Sequence, residues 1–123
     1  PVTPFASFSP LPPPGRELVD AGVAVALGTD CSPNSWVESM PVVLAHAVYR
    51  GRLTPAEALC AATVNAAHAS GLPPGTGTIS VGGAADLLLF SSPHVEAIPT
   101  RIGAMPAHIY RRGKCVLSSA LRE

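Results

Sequence analysis

Three observations predict an α/β fold for this chain of 123 residues. An unbroken apolar run of strand length fills 23–29, a capped helix opens at Thr54, and short apolar runs punctuated by glycine follow Gly71. Such a length supports one modest core, and the apolar content suits a packed domain. The formal charge is zero, with only the short Arg111-Arg112-Gly113-Lys114 group of cations. This argues against nucleic acid or an acidic membrane surface as partner and for a small-molecule substrate.

The first fifteen residues are crowded with proline, and Pro12-Pro13-Pro14 fits neither a helix interior nor a central strand. They read as a loop leading into a short helix over 15–22 that buries Leu18 and Val19 and stops at Gly22. The run Val23-Ala-Val-Ala-Leu-Gly-Thr29 has the texture of a strand buried on both faces, as in parallel sheets covered by helices. Asp30 then stands at a strand's C-terminal end. Such a strand needs parallel neighbours on both sides, and the chain contains none that match.

Ser39-Met-Pro-Val-Val-Leu-Ala-His-Ala-Val-Tyr49 predicts a buried helix with Pro41 near its start and Gly51 near its stop. Thr54, Pro55 and Glu57 form a Thr-x-x-Glu capping box, which predicts a helix over 55–69 with Leu59, Ala62, Thr63 and Ala66 on its inner face. Beyond Gly71 the pattern predicts a small β unit. Its strands are 77–81, 85–90, and a hairpin pairing 108–112 with 115–118 around Arg112-Gly113. Asp86 is expected to fix a turn or the start of its strand. The glycines at 75, 77, 82 and 83 are turn residues, since no Lys-Ser/Thr follows them.

The chemistry centres on Leu27-Gly-Thr-Asp30-Cys-Ser-Pro-Asn-Ser35, an acidic residue leaving a buried strand into a polar loop. A carboxylate there can ligate a metal and accept a proton from attacking water. The competing reading is a structural Asx turn or helix cap. His46 and His68 read as structural histidines, and Cys31, with no base nearby, as a packing residue. No apolar run approaches the ~18 residues of a membrane span. The three cysteines match neither a disulfide framework nor a CxxC zinc pattern, so a reducing, cytoplasmic setting is expected. The opening Pro1-Val2-Thr3-Pro4, without Met or a signal peptide, leads us to expect numbering that starts inside a longer protein.

The ordered series Gly28-Thr-Asp30, Ser39-Met40, Leu53-Thr-Pro-Ala-Glu-Ala-Leu59, Ala61-Ala-Thr-Val-Asn-Ala-Ala67 and Gly77-Thr-Ile-Ser-Val-Gly-Gly-Ala-Ala-Asp-Leu87 covers most of the chain. It resembles the C-terminal quarter of amidohydrolases. Within that superfamily the Asp30–Ser35 loop, Glu38-Ser-Met40 and Ile98-Pro-Thr-Arg-Ile-Gly103 resemble the imidazolonepropionases of histidine breakdown. Deaminases and dihydropyrimidinase-like proteins share the helix and the Gly-Ala-Ala-Asp-Leu feature but look less like the loop.

The resemblance implies a (β/α)8 TIM-type barrel followed by a small β-sandwich. Residues 1–70 would be the last strands and helices of the barrel, and 71–123 the C-terminal share of the sandwich. It implies one Zn2+ or Fe ion held by a His-x-His pair, a later His and an Asp, of which Asp30 matches the Asp. The other ligands precede that Asp in the family, whereas His46, His68, His94 and His108 all follow it. It further implies that Ser32, Asn34 and Ser35 contact substrate, although the commoner pattern has Asn and Gly at the first two of these places.

The reaction implied is hydrolysis of the ring amide of 4-imidazolone-5-propanoate to N-formimidoyl-L-glutamate, with Asp30 moving the proton. The partners implied are the small-molecule substrate, the missing N-terminal barrel portion and, left open, a second copy in a homodimer. Two alternatives remain: another amidohydrolase such as a nucleobase deaminase, or a non-catalytic fragment or module that pairs with a separate barrel portion.

Overall fold

The computed structural model describes residues 11–33 and 36–118. Among these residues the elements follow in the order α1 (Gly15–Asp20), α2 (Met40–Tyr49), α3 (Pro55–Ala62), α4 (Val64–Ala69), β1 (Leu87–Leu89), α5 (Ala97–Thr100), β2 (His108–Arg111) and β3 (Lys114–Ser118). The core is built where α2 and α3 pack on each other and on α5. Leu27, Val43, Leu44, Ala47, Leu53, Ala58 and Ala61 form one buried cluster, with Val19, Val25, Leu59 and Ile98 at its margin. Alanines at the α2–α3 contact remove the side chains that would hold the two helix backbones apart.

Helix α3 starts as its sequence demands. The Glu57 amide donates to Thr54 Oγ1 at 3.3 Å, and the Thr54 amide donates to Glu57 Oε2 at 2.7 Å, so two orphan donors are satisfied reciprocally. The Glu57 carboxylate also receives both terminal nitrogens of Arg16, at 2.9 and 3.0 Å. Arg16 Nε donates to Asp20 at 2.8 Å. A bidentate guanidinium pair of this kind ties α1 to the start of α3 between residues 41 apart in the chain.

That network has a pH signature. Arg16 first, and then Thr54, hold the Glu57 carboxyl at about 2, below its ordinary 4.5. A depressed folded-state value means the contribution is fully present above about 4.5 and is lost as the pH falls towards 2. The urea midpoint of the wild type should therefore fall across that window, and Glu57→Gln should remove this part of the slope. A parallel acid slope in Glu57→Gln would show that the pair contributes nothing.

Several expectations change. Residues 23–29 are extended but pair with no strand among the described residues, because a strand of this kind exists only with neighbours to complete its ladder. Of its residues only Leu27 is buried. Leu18, expected in the core, is exposed, and α1 buries no residue fully. The helix expected over 55–69 breaks at Thr63, whose φ of −117° and ψ of −86° leave the helical region. The α3 face that meets the core carries Ala58 and Ala61, with Leu59 and Ala62 flanking it and Thr63 exposed.

Segment 77–81 is a series of turns rather than a strand, and Ile79 and Val81 face solvent. Residues 97–100 form α5 against the helices, with Pro99 fully buried.

The hairpin forms as expected. β1, β2 and β3 make an antiparallel sheet in that order, with a bulge between Ile109 and Tyr110. Arg112 and Gly113 both have positive φ, 49° and 76°, which is the geometry a two-residue hairpin turn requires to match strand twist. Asp86 explains its place beside β1: its carboxylate accepts the Arg112 amide at 2.6 Å, while the Ala85 carbonyl accepts the Gly113 amide at 2.9 Å. Both turn amides are thereby satisfied from the neighbouring strand's approach.

Candidate functional site

The extended segment carries Asp30 outward from the core. Leu27 is buried under α2 and α3, and three residues later Asp30 is exposed with φ of 49°. Aspartate is among the few side chains that occupy this left-handed region without a large penalty. The turn redirects the backbone at the point where the polar loop begins.

The ordinary structural uses of such an aspartate are absent among the described residues. The N-cap of α2 is Ser39, without a side-chain capping bond, and no described residue hydrogen-bonds or ion-pairs with the Asp30 carboxylate. Ser32 is half-buried two residues on, and Asn34 and Ser35 lie outside the described residues. Cys31 is exposed rather than packed, and all three cysteines are free thiols. His46 is half-buried in α2 and His68 is exposed at the end of α4.

Asp30 offers one hard oxygen donor, which suits Zn2+ or Fe as a single ligand. A complete metal site is another matter. Among the described residues no three of His, Cys, Asp and Glu come together, so these residues alone do not fit the ion. A cavity of about 80 Å³ lies elsewhere, lined by Phe90, Ile98, Arg101 and Met105. Neither Asp30 nor Ser32 lines it.

Residues near the helix break hold the segment that leads to Asp30. The Leu27 amide donates to the Ala61 carbonyl at 3.0 Å, and Asn65 Nδ2 donates to the Val25 carbonyl at 2.8 Å. Asn65 is not among the residues that the sequence marks for the site. Its signal was there, since asparagine is a poor residue for a helix interior unless its amide is engaged elsewhere.

The chain belongs to the amidohydrolase family, whose model matches residues 3–117. It is similar to the imidazolonepropionase of Rubrobacter xylanophilus, 49% identical over 100 residues that cover 80% of this chain and 24% of that protein. The imidazolonepropionase of Herpetosiphon aurantiacus is 42% identical over 123 residues, 98% of this chain and 29% of the relative. The probable imidazolonepropionase of Bos taurus is 37% identical over 107 residues, 85% of this chain and 25% of the relative. The chain thus spans about a quarter of the length of the curated relatives it matches. No helix among the described residues is long and apolar enough to cross a membrane.

Proposed function

We propose that the protein carrying this chain opens the ring amide of 4-imidazolone-5-propanoate to give N-formimidoyl-L-glutamate, a step of histidine degradation. The observation that supports this best is the similarity to proteins named imidazolonepropionase across nearly the whole chain, the Asp30 loop included. In this reading residues 1–70 are the last strands and helices of a (β/α)8 barrel and 71–123 the C-terminal share of a β-sandwich. Segment 23–29, which pairs with no strand among the described residues, supports it, because a barrel supplies the parallel neighbours that segment calls for.

Asp30 takes the proton of the attacking water and passes it to the departing ring nitrogen. Ser32, Asn34 and Ser35 offer hydrogen-bonding groups to the substrate. Asp30 is also one ligand of a single Zn2+ or Fe ion whose remaining ligands lie in the protein outside this chain. The free thiols agree with a reducing cytoplasmic setting.

A substrate panel tests the reading. The protein carrying the chain should hydrolyse 4-imidazolone-5-propanoate and leave guanine and cytosine untouched, whereas turnover of a nucleobase alone would replace the proposal with a deaminase. The isolated 123-residue chain should hold metal weakly and turn over none of the three. Measurable hydrolysis by that purified chain would refute the claim that the site is completed from elsewhere.

A further inference from the structure

We propose that Asn65 is a positioning residue for Asp30, gripping with its side-chain amide the backbone from which the carboxylate departs. The inference rests on the reading of Asp30 as a site residue.

An extended segment outside a ladder must find other partners for its buried N–H and C=O groups. Within 23–30 the Val23 amide donates to the Leu18 carbonyl, and the junction of α3 and α4 holds two further groups, the Val25 carbonyl by Asn65 Nδ2 and the Leu27 amide by the Ala61 carbonyl. In extended backbone, groups of residues two apart point to the same edge. One donor offered to the first residue and one acceptor offered to the second is what a single residue of a parallel neighbour gives. The junction of α3 and α4 supplies the same pair, a helix carbonyl and a side-chain carboxamide standing in for a strand.

The break at Thr63 makes this possible. The last four carbonyls of a helix have no intrahelical partner. At the end of α3 the Leu59 carbonyl accepts Thr63 Oγ1 at 2.7 Å, the Cys60 carbonyl accepts the Thr63 amide at 3.3 Å, and the Ala61 carbonyl is left for Leu27. Gly77, at φ of +85°, lies so close to the break that a Cβ there would stand 2.7 Å from the Thr63 carbonyl carbon. The loop therefore seats against the kink and fixes the direction in which α4 presents Asn65.

From this grip to Asp30 there are only a few residues of extended chain. A shift of the segment at Val25 and Leu27 is carried to the Asp30 carboxylate with little slack, and misplacement of a catalytic group by about 1 Å costs on the order of 100-fold.

The test uses the protein that carries this chain and whichever substrate of the panel it turns over. Asn65→Ala removes the amide, and Asn65→Asp keeps the shape but removes the donor. Both should lower kcat by about 10- to 100-fold while KM stays within about threefold. Amide exchange at Leu27 should accelerate, with α3 and the rest of α4 still protected. A merely structural residue would instead lower the folded fraction and leave kcat per folded molecule intact, and that result, or unchanged exchange at Leu27, overturns the proposal. Asp30→Asn separates the two ideas. If it is inactive and Asn65→Ala matches the wild type, only the Asn65 proposal falls; if Asp30→Asn is fully active, both fall.

Discussion

Asp30→Asn in the protein that carries this chain is expected to lower kcat by about 10²- to 10⁴-fold, the range a positioned general acid–base group supplies. Asparagine is the right first substitution because it keeps the size of the side chain and tolerates the left-handed backbone at φ of 49°. It cannot accept the proton of attacking water. Because the carboxylate is exposed and engages no described residue, its loss breaks no contact among the described residues, and the urea midpoint measured on metal-free protein should stay at the wild-type value. Bound metal should fall together with activity. Asp30→Ala should share the kinetic defect and add about 1 kcal/mol of strain, since alanine pays for a positive φ that asparagine accepts. Wild-type turnover and metal content in Asp30→Asn would end the assignment.

Local chemistry was the legible part of the sequence. The Thr54–Glu57 box and the Arg112-Gly113 turn are each decided within four residues, and both form as their residue types require. Features that depend on distant chain were hidden. Nothing near Glu57 announces Arg16, and nothing near 23–29 tells whether a neighbouring strand exists, so the apolar run reads as a strand while it joins no ladder among the described residues. The apolar alternation at 77–81 fails for a related reason: Ile79 and Val81 meet no facing layer among the described residues.

The kink at Thr63 lay below the resolution of propensity. Thr63-Val64 is a β-branched pair, which weakens a helix by only tenths of a kcal/mol per residue, roughly. At the candidate site, Asp30 and Ser32 are expected through resemblance, whereas the bond of Asn65 needed the structure because its partner is forty residues away.

Leu27→Ala should give the largest loss of stability of any truncation in the segment that presents Asp30, about 2–5 kcal/mol. Leu27 is the segment's only fully buried residue, at 6% exposure, and its side chain enters the cluster formed by Val43, Leu44, Ala47, Leu53, Ala58 and Ala61. Half of those neighbours are alanines, whose methyl groups have no rotamers with which to fill a void. The cavity therefore stays open, and the cost should fall in the upper part of the range. Leu27→Met preserves most of the volume and should cost less than about 1.5 kcal/mol. Urea midpoints at constant m-value measure both.

The kinetic consequence distinguishes anchoring from chemistry. Leu27 carries both the buried side chain and the amide bound to Ala61, so its truncation loosens the segment three residues before Asp30 and should lower stability and kcat together. Asp30→Asn should lower kcat and bound metal while leaving the segment's anchor intact. A Leu27→Ala protein that loses stability yet keeps wild-type kcat per folded molecule would mean that the Asp30 carboxylate is placed by something other than this anchor.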